Sequence, residues 1–199
     1  MNFELLVATN NAHKLKEIRQ ILSPHHITVY GMKDLNIDIG EVVEDGKNYY
    51  ENALIKANAL KSVTKMPIIA DDSGLEILSL NNMPGLYSAR FASECGGHTQ
   101  AINKILKDLE NKDRTARFIC DIVLVNVEDK PLLFEGIVPG KIGMKVEGES
   151  GFGYDPIFIC DELNKSYALL TEEEKNRVSH RGKALKKLIT YLKINGLCR

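Results

Sequence analysis

The 199-residue sequence has only four cysteines, Cys95, Cys120, Cys160 and Cys198, far apart and without a C-x-x-C pair. That spacing argues against a zinc ribbon or a disulfide framework and predicts reduced structural thiols in the cytoplasm. Long apolar runs are also missing: none exceeds four residues, so no membrane-spanning helix is expected. Met1-Asn2-Phe3-Glu4 has no basic region followed by a long apolar stretch, so no signal peptide is expected. Neither sign of charge dominates, with 26 basic and 27 acidic residues and a formal net charge of −1. A duplex-DNA binder carries a basic excess, so no nucleic-acid partner is expected, whereas a small anion held by a few local lysines and arginines is compatible. The apolar fraction of 44% and charged fraction of 27% are those of an ordinary globular protein. The length fits one mixed α/β domain over residues 1–199.

Phe3 to Thr9 is short, largely apolar and ends in a polar turn, which predicts a buried strand. After Asn10-Asn11, Leu15, Ile18, Ile21 and Leu22 recur at helical spacing until Ser23-Pro24 stops the helix. Ile27 to Tyr30 predicts a second strand. Residues 36–48, with Asp38, Glu41, Glu44, Asp45, Gly40 and Gly46, predict an acidic loop. From Tyr50, residues Ala53, Leu54, Ala57 and Leu60 mark a helix whose exposed side includes Lys56 and Lys61. Ile68 to Ala70 predicts a short buried strand leading into an Asp71-Asp72-Ser73-Gly74 turn. Ala101, Ile102, Ile105, Leu106 and Leu109 mark a third helix. Residues 115–127 place Ala116, Phe118, Cys120, Ile122 and Leu124 on one strand face, and 132–138 pair with them across a turn. Residues 151–156 are too glycine-rich for regular structure, and Ile157 to Cys160 predicts another strand. Thr171-Glu172-Glu173-Glu174 is a capping box, and Ala184, Leu185, Leu188, Tyr191 and Leu192 stripe a C-terminal helix.

Four segments carry candidate chemistry. Thr9-Asn10-Asn11-Ala12-His13-Lys14 joins a strand to a helix start, where free N–H groups, a hydroxyl and a lysine suit an anion; the alternative is an N-capped turn. Asp71-Asp72 offers oxygen ligands for Mg²⁺, and one of the pair suits deprotonating a water; the alternative is a turn whose carboxylates cap local N–H groups. Gly151-Phe152-Gly153-Tyr154-Asp155-Pro156 lets backbone approach a flat ligand with an aromatic platform; the alternative is a β-bulge or tight turn with a core Phe. Lys175 and Ser179-His180-Arg181 supply donors for a phosphate or a purine edge; a lone His-Arg is otherwise ordinary surface.

In their order, the segments ATNNAHK, ENALIKA, IADDSGLEI, PGLYSARFA, GFGYDPIF and EEKNRVSHRGKA resemble the inosine/xanthosine triphosphate pyrophosphatase family, over Leu6 to about Leu188. The resemblance implies an elongated mixed-sheet α/β fold with two lobes, a central nucleotide-binding cleft and a homodimeric assembly. It implies Mg²⁺-dependent hydrolysis of ITP, dITP, XTP and dXTP to the monophosphate and pyrophosphate. Thr9, Asn10, Asn11, Ala12, His13 and Lys14 match the triphosphate-holding segment, with Lys56 near the phosphates. Asp72 matches the base and metal ligand, and Ser73 lies beside it. Phe152, Gly153, Tyr154 and Asp155 match the base-binding loop, and Lys175, His180 and Arg181 the remaining substrate contacts. The sequence departs from the family where relatives carry two adjacent acids before Gly46: Val43 precedes Glu44-Asp45. Glu44 is therefore the first choice for a second metal ligand and Glu41 the second. Asn81-Asn82 stands where relatives have two glycines, and asparagine tolerates the positive φ such a turn needs. A pyrophosphatase for other modified nucleotides and a non-catalytic nucleotide sensor are the rival readings.

Overall fold

The computed structural model describes residues 2–198. Among the described residues the fold is mixed α/β, with eight strands hydrogen-bonded in the order β2-β1-β3-β5-β6-β7-β8 and β4 pairing beside β3. The strands are β1 (Phe3–Val7), β2 (Ile27–Gly31), β3 (Ile68–Ile77), β4 (Met83–Pro84), β5 (Thr115–Val125), β6 (Leu132–Ile142), β7 (Phe158–Cys160) and β8 (Lys165–Ser166). The helices are α1 (Ala12–Leu22), α2 (Tyr49–Lys61), α3 (Ser88–Glu94), α4 (His98–Asp108), α5 (Glu172–Val178) and α6 (His180–Ile194). The chain forms two compact units, one of Met1–Asp72, Cys120–Gly136 and Arg181–Arg199, the other of Ser73–Ile119 and Ile137–His180.

In the first unit β1 runs parallel to β2 and to the start of β3, with Leu6 opposite Ile68. Both faces of this sheet are covered, which is why Leu5 to Ala8 read as a continuous apolar run rather than an alternation. Leu5 and Val7 meet Ile18 and Leu22 of α1 and Leu185 and Leu188 of α6. Leu6 and Ala8, on the opposite face, meet Ala53, Ala57 and Leu60 of α2. Asn11 caps α1, its Oδ1 accepting from the backbone N–H groups of His13 and Lys14 at 3.0 and 3.1 Å.

The second unit has its own core, in which Phe118 of β5 meets Phe158 of β7 edge-on at 4.6 Å and Tyr167 lies parallel to it. The Thr171–Glu174 capping box forms at α5 as its spacing predicts. Asn81 and Asn82 sit at φ of +54° and +63°, so asparagine does hold the left-handed turn.

Four local expectations change. The strand expected at Ile68–Ala70 continues through Asp71, Asp72, Ser73 and Gly74 to Ile77, so the paired aspartates lie inside β3, not in a turn at its end. Their polarity imitates a turn, but both side chains are buried against cations and the strand continues into buried Leu75 and Ile77. The strand expected at 132–138 continues through Pro139 and Gly140 to Ile142. A Cβ at Gly140 would lie 2.3 Å from the Ile159 carbonyl oxygen, so glycine there permits close pairing with β7 instead of breaking the strand. Helix α3, where no element was expected, has only seven residues, too few to show an apolar period. Lys56, expected on the exposed side of α2, is largely buried, its side chain only 15% exposed beside two carboxylates.

Candidate functional site

Residues from α1, α2, β3 and α6, with Glu44 of the acidic loop, make one charged cluster in the first unit. A single oxygen of Asp71, Oδ2, receives Lys14 Nζ at 3.1 Å and Arg181 Nη2 and Nε at 2.9 and 3.2 Å. Arg181, 1% exposed, also donates through Nη1 to Glu17 of α1. Burial would raise the Asp71 pKa, but Lys14, Arg181 and Lys56 overcome it and hold the carboxyl far below the usual range. Arg181 is likewise held charged: burial opposes this, and Asp71 and Glu17 prevail.

The neighbouring carboxylate is treated differently. Asp72, 8% exposed, accepts from Asn52 Nδ2 at 3.1 Å on Oδ2, while its Oδ1 lies 3.7 Å from Lys56 Nζ. Burial raises its pKa, outweighing the nearby lysines and the Asn52 bond, and Glu44 adds to the rise. Lys56 Nζ also lies 3.0 Å from Glu44 Oε2. Burial acts against the Lys56 charge, but Asp72, Asp71 and Glu44 raise its pKa. Adjacent residues of one strand thus hold a firmly charged carboxylate, Asp71, and a more basic one, Asp72.

The Thr9–Lys14 segment differs from its expectation in one respect. The N–H groups of His13 and Lys14 are already bonded to Asn11, and that of Asn11 to Thr9 Oγ1 at 3.1 Å. The turn is N-capped as the alternative reading expects, and Lys14 points its charge into the carboxylate cluster. Asn10, Ala12 and His13 are exposed, as is Glu41, whereas Glu44 is the acid paired to Lys56. Ser73, the next residue along β3, is half-buried.

In the second unit the GFGYDP segment forms a tight turn closed by its own aspartate. Asp155 Oδ2 accepts from the Phe152 backbone N–H at 2.9 Å and from Lys175 Nζ at 2.6 Å. Gly151 and Gly153 adopt φ of +77° and +65°, and a Cβ on Gly151 would lie 2.1 Å from the Asp155 carboxylate. Lys175 Nζ stands 4.7 Å from the centre of the Phe152 ring, a cation–π contact that fixes the ring beside a positive charge. Tyr154 is a core residue, its hydroxyl donating to the Ser88 carbonyl at 2.7 Å. His180 stacks on Phe118 at 4.5 Å, nearly parallel, with Tyr167 beyond.

Sequence reasoning missed Glu17, Asn52 and Asp121 and gave Asp71 no role of its own. The one local signal was the i,i+4 spacing of Asn52 and Lys56, which puts both on one side of α2. Asp121 is 6% exposed on β5, and its Oδ1 has no hydrogen-bond partner among the described residues. Burial first, then the charges of Glu135 and Asp72, push its pKa up to about 6. A carboxyl raised in the folded state stabilises the fold at low pH and loses that contribution as pH rises through about 6. Asp121→Asn therefore raises Tm by roughly 3 to 6 °C at pH 8 and changes it little at pH 4, as thermal denaturation at the two pH values will show.

The sequence matches the family model described as the Ham1 family over residues 5–191. It is 42% identical over 199 aligned residues to a protein named dITP/XTP pyrophosphatase from Clostridium perfringens, covering 96% of this chain and 97% of that one. It is 44% identical over 189 residues to a protein of the same name from Bacillus subtilis, covering 93% and 94%. Among solved structures, the Ham1 protein of Staphylococcus aureus superposes with a TM-score of 0.84 at 38% identity, covering 96% of this chain and 99% of that one.

Proposed function

The chain belongs to the Ham1 family, and from that premise we propose that it hydrolyses deaminated purine nucleoside triphosphates, ITP, XTP and their deoxy forms, to the monophosphate and pyrophosphate. The observation that carries this reading is the Asp72 carboxylate, buried, raised in pKa and flanked by Lys56, beside a second aspartate that anchors Lys14. Asp72 takes the proton of a water whose oxygen forms the new bond to the α-phosphorus. The bond from that phosphorus to the oxygen bridging to the β-phosphorus breaks, and pyrophosphate leaves with the electron pair. Lys14, together with Thr9, Asn10, Asn11, Ala12 and His13 at the start of α1, is assigned to the phosphates, and Lys56 and Ser73 to the same end of the substrate. The lysine charges offset the negative charge that builds on the leaving group.

The donor set fits Mg²⁺. Lys56 Nζ, a cation, already lies between Glu44 and Asp72, so these two carboxylates face a common positive charge. Among the described residues no group of three His, Cys, Asp or Glu is placed to hold a metal ion. Two carboxylates completed by substrate phosphates is the usual Mg²⁺ arrangement. Asp72 and Glu44 would hold the ion, which would supply Lewis-acid polarisation of the phosphates and neutralise developing charge.

Phe152, Gly153, Tyr154, Asp155, Lys175 and His180 are assigned to the base, and Arg181 to its C6 keto oxygen, an acceptor that adenine replaces with a donor. The same reading makes the partner a small nucleotide, the assembly a homodimer and the compartment the cytoplasm. No described helix is long and apolar enough to cross a membrane. The test is pyrophosphate release from ITP, dITP, XTP, dXTP, GTP and ATP with Mg²⁺. Release concentrated on the deaminated purines is the expected result. Tight ITP binding without turnover, or turnover directed to other modified nucleotides, overturns it.

A further inference from the structure

Asn52 of α2 is 3% exposed, and both ends of its amide are engaged. Its Oδ1 accepts the backbone N–H of Gly46 at 2.8 Å, and its Nδ2 donates to Asp72 Oδ2 at 3.1 Å. The direction of the amide follows from chemistry: a backbone N–H only donates, so the atom facing Gly46 is the oxygen, and the NH₂ group is left for the carboxylate. The contact with Gly46 is close enough that a Cβ there would lie 2.6 Å from Asn52 Oδ1 and 2.8 Å from the Asn52 backbone nitrogen. One side chain thus ties the acidic loop, two residues from Glu44, to the carboxylate on β3, while Lys56 one turn along the same helix touches both Glu44 and Asp72.

We propose that Asn52 is a positioning residue for the reaction, setting the Asp72 carboxylate and the Glu44 loop at a fixed separation through one bifunctional amide. The inference rests on the hydrolase reading above. Asn52 holds Asp72 by Oδ2, and Oδ1, 3.7 Å from Lys56 Nζ, is the end assigned to water and the phosphate end of the substrate. With Gly46 pinned, Glu44 is delivered to the same place. Only an amide does both, because a carboxylate at position 52 keeps the acceptor for Gly46 but loses the donor and sets a second negative charge against Asp72.

That asymmetry supplies the test. In Asn52→Asp the Gly46 N–H keeps its acceptor, so its amide exchange, followed by nitrogen-15 NMR, stays as slow as in the parent, while kcat for ITP falls about 10- to 100-fold with KM changed less. In Asn52→Ala both bonds go: Gly46 exchange accelerates, kcat falls by a similar factor, and Mn²⁺, used as a spin probe of the nucleotide-free protein, binds more weakly. Circular dichroism confirms that each variant is folded. Normal kcat in folded Asn52→Asp, or unchanged Gly46 exchange in Asn52→Ala, overturns the assignment. These outcomes are separable from failure of the hydrolase reading, which would show as absent pyrophosphate release by the parent protein while the exchange experiment still reports on the loop anchor.

Discussion

Asp72→Asn lowers kcat for ITP by about a thousandfold, the middle of the range for removing a positioned general base, and leaves the fold intact. The substitution preserves volume and still offers an oxygen to Asn52 Nδ2, so the buried bond at 3.1 Å has a successor. What disappears is the negative charge that takes the proton. The pKa shift gives this variant a second signature. Because burial first, and Glu44 after it, raise the Asp72 pKa in the folded protein, its ionised form opposes folding, and that penalty grows as pH rises through the folded pKa. A neutral amide removes the penalty, so Tm at pH 8 holds or rises while activity collapses. Loss of activity together with a lower Tm at pH 8 would make Asp72 a structural carboxylate, and near-parent turnover would remove it from the chemistry altogether.

The contrast between Asp72 and its neighbour shows where sequence reading reaches its limit. β1 was legible because both its faces are covered, so local apolarity alone announces it. The α1 cap at Asn11 and the asparagine turn at 81–82 were legible because each depends on a residue's own backbone preferences. The aspartates were legible as a pair, since two acids after an apolar run suggest chemistry. Their division of labour was not, because it is set by partners distant in the chain. Arg181 reaches Asp71 across 110 positions and Glu17 across 164, and Asp121 meets the Glu135 charge from another strand. Long-range pairing of charges leaves no local period to read. The same holds for Lys56, whose helical position suggested solvent until the acidic loop and β3 covered it. Composition misled at Asp71–Gly74 for a related reason: buried ion pairs let a polar tetrapeptide remain strand.

Arg181→Ala destabilises the protein by about 3 to 5 kcal/mol, as expected when one partner of a buried ion pair is removed. On a chain of this size that is a fall in Tm on the order of 10 °C. The reason is specific to the cluster: Asp71 and Glu17 both lose the cation they face, and the Asp71 carboxylate sits 98% buried with Lys14 as the ion-pair partner that remains. The pH dependence has a definite sign. Burial would raise the Asp71 pKa, but Lys14, Arg181 and Lys56 hold it down, so in the parent protein this carboxylate stabilises the fold above its ordinary pKa and the contribution is lost as pH falls into the acid range. Removing Arg181 shrinks that depression, so the variant loses most stability near neutrality, and the gap between variant and parent narrows toward pH 3. Arg181→Lys keeps the charge but gives up the fork that bonds Asp71 through Nε and Nη2 and Glu17 through Nη1, and it should fall between the two. The keto-oxygen role assigned to Arg181 makes a separate demand on the same variants. The kcat/KM ratio of ITP to ATP, measured at a temperature where both variants are folded, narrows in Arg181→Ala. If stability falls as stated but that ratio is unchanged, Arg181 serves the cluster as a counter-ion alone, and base discrimination rests with Phe152, Asp155, Lys175 and His180.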